Sequence, residues 1–536
     1  MVVALGIVAC GGFGEGVHIH QAHADLWVGE SLVLAATVVG SADGRVTWAS
    51  SDREVANIGD DGVVTGVGQG SAVITATSVA NPRSSARIVV TVTPLPIGSP
   101  MLLQVDTSLI AGTTVTLPLR ERTTVIVAWG DGHSSSAGTS GDLQHTYEED
   151  GRYVIEIRGR LGQFGDPGFV EDGRVEYSHA GALTAVADWG DLGLTSLSGA
   201  FADAVNLTSV PDWLPATVTD LSWMFVGATA FDGAIGNWDT PNVTNMVGMF
   251  AGASAFNQPI GRWNTSKLTS LGWMFSGASA FNQPIGDWDT GQVASMVMTF
   301  YRASSFNQPI GSWDTANVTS MRNVFDGASA FDQPIGTWST GGVTSMAFVF
   351  RDASAFNQPI GAWDISRVSD MTAMFSGARA FNQPIGDWDT GAVVSMTNTF
   401  FDARAFDQPI NRWDTGRVES MGYMFCGSRF DQPIGAWDTS RVVRMAGMFC
   451  YTERFNQPIG AWDTSSVTDM GHMFWNAWAF DQDLSAWCVT AIPHEPENFA
   501  LGAGAWALPR PAWGTCPKAG RRVGPSAAPL LVPGHS

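Results

Sequence analysis

Apolar and polar positions along this chain follow two rhythms. Through residues 24–94 they alternate, with Gly, Asp and Ser as punctuation, the pattern of half-buried strands joined by turns. From residue 181 a longer period takes over. Trp recurs at 189, 213, 238, 263, 288, 313, 338, 363, 388, 413, 437, 462 and 487, spaced by 25 residues except for two intervals of 24. The short interval after Trp413 has a visible cause, because Met-Phe-Cys-Gly-Ser-Arg-Phe lacks one residue of the usual Met-Phe-Ser-Gly-Ala-Ser-Ala-Phe. Register recovers at once, as it does after a loop deletion.

The full unit reads Phe-(Asn/Asp)-Gln-Pro-Ile-Gly-x-Trp-Asp-Thr-x-x-Val-Thr-Ser-Met-x-x-Met-Phe-x-Gly-Ala-Ser-Ala. In Phe256-Asn257-Gln258-Pro259-Ile260 the apolar period is near two, which predicts a short strand. Val243, Met246, Met249 and Phe250 fall at i, i+3, i+6 and i+7, which predicts one face of a short helix or 3₁₀ segment. Asp239-Thr240 stands where an N-cap is expected, and Gly252 where a helix stops. Such a coil cannot bury its own apolar edge, so neighbours must stack. At about 4.8 Å per coil, thirteen of them extend on the order of 60 Å.

The repeat resembles the BspA-type leucine-rich repeats of bacterial surface proteins over residues 181–516. The resemblance implies an α/β leucine-rich-repeat-like solenoid of about 13 coils of about 25 residues over 181–487. The first coils, around Trp189 and Trp213, are degenerate, as edge repeats are. Residues 488–516 replace the repeat and read as a C-terminal cap, closed by an expected Cys488–Cys516 disulfide. Cys426 and Cys450 occupy one column of adjacent coils, within disulfide reach. A second bridge and two free thiols both fit that placement.

Upstream, Leu26-Trp-Val-Gly-Glu-Ser-Leu, Val46-Thr-Trp-Ala-Ser-Ser-Asp, Gly62-Val-Val-Thr-Gly-Val-Gly and Gly70-Ser-Ala-Val-Ile-Thr-Ala-Thr resemble, in order, the group 2 bacterial immunoglobulin-like domain. Residues 99–160 carry Val127-Ala-Trp-Gly-Asp-Gly132 and His145-Thr-Tyr-Glu-Glu-Asp-Gly-Arg-Tyr. These resemble the signatures of PKD-like β-sandwich domains. The chain is thus expected to be multidomain, with N-terminal all-β Ig-like sandwiches ahead of the solenoid. Residues 1–23 read as a leader and tether, and 517–536 as a disordered tail.

Charge narrows the partners. Fifty acids against 28 bases give a formal net charge of −22, which repels phosphate backbones, so nucleic acid is not expected. The sequence contains no run of eighteen apolar residues, so no transmembrane span is expected. Ile7-Val8-Ala9-Cys10 resembles a bacterial lipobox, which makes Cys10 a candidate lipid anchor and the bacterial envelope or cell surface the expected location.

Chemistry is sparse. His18, His20 and His23 lie in the expected tether, with no fold to fix ligand geometry. Asp131 reads as a turn residue. The column of Asp239, Asp289, Asp314, Asp364, Asp389, Asp414, Asp438 and Asp463 invites Ca²⁺. Asn264 and Ser339 take the same position, and capping accounts for all three residue types. The Asn257, Asn282 and Asn307 column, with Asp at 332, 407 and 431, reads as a side-chain ladder. No unique carboxylate pair, phosphate loop or nucleophile motif occurs, so no enzyme, cofactor or metal is expected.

The strand positions are monotonous, whereas positions after Met and after Phe vary. Trp273, Tyr301, Arg302, Arg322, Phe348, Arg351, Phe401 and Tyr423 fall there, and aromatics interspersed with Arg are what recognition surfaces use. They form the candidate binding face, on the helical-turn side. The implied function is non-catalytic adhesion or protein binding at a bacterial surface, with an unknown protein or glycan as partner. A structural spacer without ligand and a carbohydrate-binding surface protein are the alternatives.

Overall fold

Alternation becomes strands throughout the N-terminal region. The computed structural model describes residues 16–21, 23–29, 31–94, 98–166 and 180–517. Strand β1 (Gly16–Ile19) pairs with β4 (Ala36–Val39), so pairing begins inside the segment expected to be a tether. A four-stranded sheet runs β2 (Ala24–Trp27), β9 (Ser85–Thr93), β8 (Gly70–Ser78), β5 (Val46–Ser50). A three-stranded one runs β3 (Ser31–Val33), β7 (Val63–Gly66), β6 (Ala56–Ile58). Every second residue of β8 turns inward, and Ala72 and Ile74 meet Leu26, Val64 and Val90 in one core.

A second sandwich follows. Its larger sheet is ordered β13 (Ser134–Ala137), β12 (Thr124–Ala128), β15 (Arg152–Arg160), β10 (Met101–Asp106), β17 (Leu183–Asp188). The smaller holds β14 (Gly141–Thr146), β11 (Thr114–Arg120) and β16 (Gln163–Phe164). The sixty-residue segment therefore borrows strands from further along the chain. β17 lies where the first coil was expected, and Gln163 of β16 bridges Ser196 of the repeats.

The chain divides into two compact units, Met1–Asn245 and Met246–Ser536. In the first, single parallel bridges carry the repeat on from Ser196 to Asp220 and Asn245. In the second, bridges link Ser270, Ser295 and Ser320, and then Ser345, Asp370, Ser395, Ser420, Arg444 and Asp469.

The expected α/β leucine-rich-repeat solenoid is not what forms. Among the described residues there is no α-helix, and the only helical segments are 3₁₀ turns at Thr107–Leu109 and Ala180–Ala182, outside the 25-residue unit. The predicted apolar stripe is real: Val243, Met246, Met249 and Phe250 are all buried. Its backbone is a run of turns. Met249 N–H donates to Met246 O at 3.2 Å and Ala251 N–H to Gly248 O at 3.0 Å. The intervening N–H groups of Gly248, Phe250 and Gly252 leave the turn and donate to Gly272, Met274 and Ser276 of the next repeat. Left-handed φ at Gly248 (63°) and Gly252 (74°) swings them outward. An α-helix needs every N–H directed along its own axis and φ negative throughout, so this segment cannot be one.

The predicted strand at Phe256–Ile260 also fails to form a backbone ladder. Pro259 has no N–H to give, and a side chain substitutes. Asn257 Oδ1 accepts the backbone N–H of Asn282 at 2.9 Å and Gln283 Nε2 at 3.1 Å. The same pair of bonds repeats from Asn282 to Asn307 and from Asp332 to Asn357. Only an acceptor oxygen is required, which is why Asn and Asp interchange.

Inside, aromatic rings form continuous columns. Phe275, Phe300, Phe325 and Phe350 follow one another at 5.7 Å between ring centroids. Trp288, Trp313 and Trp338 do so at 6.4 and 6.3 Å, and Trp313 Nε1 donates to Ile285 O in the previous repeat at 3.0 Å. Each Phe column is fully buried, worth about 1.5–3 kcal/mol per ring over exposure. The columns end where Phe499 and Trp506 turn edge-on to Phe474 and Phe480, while Cys488 pairs with Cys516.

Candidate functional site

The positions that vary from unit to unit share backbone conformation as well as sequence column. Trp273 (φ 62°), Phe348 (62°) and Tyr423 (55°) are left-handed like Gly248, although none is glycine. Arg302 (55°) and Asp402 (51°) take the left-handed column that Gly252 and Gly277 occupy elsewhere. A left-handed residue costs about 1–2 kcal/mol without the freedom of glycine.

Around Phe348 these residues assemble. The Arg322 and Arg351 guanidinium carbons lie 5.3 and 4.9 Å from its ring centroid. Arg351 grips Asp326 with two bonds, of 2.9 and 2.8 Å, and Asn323 Nδ2 donates to the same carboxylate at 2.6 Å. Burial pushes the Asp326 carboxyl above its ordinary value, against the opposing pull of Arg351 and Asn323. Arg302 stacks on Tyr301 at 5.1 Å, and its N–H bonds Asp326 O. Tyr301, Arg302, Arg322, Phe348 and Arg351 thus form one patch of paired rings and guanidinium groups.

Phe401 and Tyr423 lie elsewhere along the same face. Phe401 borders an open groove of about 480 Å³ with Arg404, Arg429, Tyr451, Glu453 and Trp478. Cys426 lies in its floor, bonded to Cys450 of the next repeat. Asp402 beside it is held by Arg379 and Arg404 at 2.8 and 2.7 Å. Trp478 is the most exposed of the three aromatic rings at 51%. Sequence reasoning passed over Tyr451, Trp478, Arg404 and Arg429. The signal was present in the 24-residue interval after Trp413, since the groove opens at the repeat that lacks one residue.

The acidic column is engaged in turns. Asp289 Oδ1 accepts Gly291 N–H at 3.1 Å, and Asp314 accepts Ala316 N–H at 3.0 Å. Uncharged Asn264 accepts Ser266 N–H at 3.1 Å in the same way. Hydrogen bonds from the Ser440 hydroxyl and backbone hold the Asp438 carboxyl below its usual range. The carboxylates cap turns rather than helices.

Titratable side chains converge in the second sandwich instead. Asp131, His133 and His145 place one ligand atom each within 4.8 Å of one another. His145 Nε2 lies 2.6 Å and His133 Nδ1 3.3 Å from Asp131 Oδ2. Burial raises the Asp131 carboxyl, but the His133 backbone N–H and the His145 ring outweigh it and hold it at about 2. His18, His20 and His23 form no such group among the described residues. Cys10 lies outside the described residues.

Comparison with known proteins follows the same modular lines. The family model described as "Mycoplasma protein of unknown function, DUF285" matches three overlapping stretches, 195–313, 296–411 and 394–503, together more than half of the chain. The "Bacterial Ig-like domain (group 2)" model matches residues 15–88. A stretch of 81 residues is 48% identical to a 3-O-alpha-D-galactosyl-alpha-L-arabinofuranosidase of Bifidobacterium longum subsp. longum, covering 15% of this chain and 7% of that enzyme. No helix among the described residues is long and apolar enough to cross a membrane.

Proposed function

This chain belongs to the family described as "Mycoplasma protein of unknown function, DUF285", and on that premise we propose that it is a non-catalytic bacterial cell-surface protein that holds out one irregular face of its repeat stack to bind a partner. The observation that carries this reading is the patch around Phe348. Frame positions are uniform from repeat to repeat and buried. The Tyr301–Arg302 and Arg322–Phe348–Arg351 stacks sit in the columns that change residue from repeat to repeat. Rings already paired with guanidinium groups lose little side-chain entropy on binding, which favours recognition. The group 2 Ig-like module upstream supports a place at the bacterial surface. The acidic column supports the absence of catalysis, because its carboxylates are engaged as turn acceptors in repeat after repeat.

Matrix-protein and glycan arrays probed with the whole chain test the proposal, followed by joint replacement of Trp273, Tyr301 and Phe348 with Ala. Binding that disappears in the triple variant supports the face; binding that is unchanged removes it. Silence on both arrays favours a spacer role.

A carbohydrate reading is favoured by the groove at residues 401–478. Phe401, Tyr451 and Trp478 offer exposed ring faces beside Arg404, Arg429 and Glu453, a combination suited to sugar rings and their hydroxyls. The short stretch shared with the galactosyl-arabinofuranosidase is compatible with it, though it reaches only 7% of that enzyme. Trp478→Ala would abolish glycan-array signals under this reading and leave protein binding by the Phe348 patch intact.

A further inference from the structure

We propose that Asp131, His133 and His145 form a binding site for one divalent transition-metal ion of the zinc type, joining the two sheets of the second sandwich. Two side chains come from one turn and the third from the opposite sheet. Asp131 and His133 sit in the turn between β12 and β13, and His145 in β14 of the opposite sheet. Fourteen residues separate Asp131 from His145, so their meeting is a product of the fold.

Two of the ligands are held in place before any ion arrives. Gly130 (φ 86°) and Gly132 (φ 93°) bend the chain around Asp131, and Asp131 Oδ1 accepts the His133 backbone N–H at 2.9 Å. This leaves Oδ2 aimed at the imidazoles. The His145 ring lies flat on Trp129, with centroids 4.8 Å apart and planes 15° apart, and meets the edge of Tyr147 at 4.6 Å. Trp129 is fully buried and Tyr147 OH bonds Trp129 O at 2.8 Å, so the platform is rigid. Such outer contacts orient a metal-bound imidazole.

One of the three ligand separations already has the tetrahedral spacing, and the three atoms lie within 4.8 Å of one another. With metal–ligand bonds of about 2.0–2.1 Å, ligand atoms in a tetrahedron lie about 3.3 Å apart. The His133 Nδ1 to Asp131 Oδ2 separation is 3.3 Å. The His145 Nε2 to Oδ2 distance is 2.6 Å, a hydrogen bond that an ion would replace by widening it by about 0.7 Å to that same tetrahedral spacing. His133 is the adjustable member, because its side chain is 64% exposed. Two imidazoles and one carboxylate leave a fourth position for water, and this N₂O set suits zinc-type ions better than Ca²⁺ or Mg²⁺.

A plain Asp131–His145 pair that pins the turn is the competing account, and it gives the His133 side chain no part. His133 is therefore the discriminating residue. Isothermal titration of the metal-free full chain with Zn²⁺ should show one site, and Co²⁺ should give visible bands of a tetrahedral complex. His133→Ala should weaken binding by more than about tenfold and abolish the bands, while the melting temperature without metal stays unchanged. A triple variant of His18, His20 and His23 to Ala should bind like the parent. Unaltered affinity in His133→Ala, loss of binding in the triple variant, or no Zn²⁺ uptake at micromolar concentration would each overturn the proposal.

Discussion

Asn282 Oδ1 accepts the backbone N–H of Asn307, one repeat further on, at 2.9 Å, and Gln308 Nε2 at 3.0 Å. The oxygen stands in for the backbone carbonyl that a β-ladder would have supplied. Asn282→Leu leaves both donors unpaired in a half-buried setting, and each lost bond costs about 1 kcal/mol or more. The expected loss is about 2–3 kcal/mol in urea denaturation, whereas Asn282→Asp should change stability by less than about 0.5 kcal/mol. Equal losses in the two variants would contradict the acceptor-only account.

Trp273 combines a left-handed backbone (φ 62°) with 39% exposure. Its ring serves the surface while its backbone carries strain. Trp273→Gly and Trp273→Ala remove the same ring, but only glycine relieves the strain. The Gly variant should therefore be more stable than the Ala variant by about 1 kcal/mol. Paired thermal melts measure the difference, and a more stable Ala variant would show that the left-handed conformation is not what the position demands.

Cys426 and Cys450 join neighbouring repeats 24 residues apart in sequence, and Cys488 and Cys516 close the cap across 28 residues. All four are paired, so none of these four should react with a thiol reagent in denaturant without reductant. Replacing Cys426 and Cys450 together by Ser releases a loop whose closure is worth about 3 kcal/mol. Chemical denaturation should show that loss under oxidising conditions and none once the parent protein is fully reduced.

Acid should loosen the second sandwich through Asp131. Its carboxyl is held at about 2 in the folded chain and titrates near about 3.9 when unfolded. Between those values the unfolded chain takes up a proton that the folded chain refuses. The contribution is complete above about pH 4 and fades as pH falls towards 2. Near-UV circular dichroism of the Trp129–Tyr147 cluster, followed during melts in chelator, should report a falling midpoint over this window. Asp131→Asn should flatten that part of the profile.

Much of this protein could be read from residue order. The Trp spacing defined the repeat, the stripe Val243, Met246, Met249 and Phe250 named the buried face, and the Asn/Asp column named a ladder. Side-chain periodicity reports which positions face inward. It is silent on where an N–H goes. The partners of Gly248 and Phe250 are carbonyls of Gly272 and Met274, 24 residues away in the next repeat. Only the stacked structure could decide between a helix and a run of left-handed turns. Residue order likewise placed Asp131 in a turn, but the meeting with His145 depends on two sheets closing over Trp129, and the groove beside Trp478 on the stacking of four consecutive repeats. Local pattern settles burial, because burial is a property of each side chain. Hydrogen-bond partners and converging ligands belong to pairs distant in sequence, and packing alone brings them together.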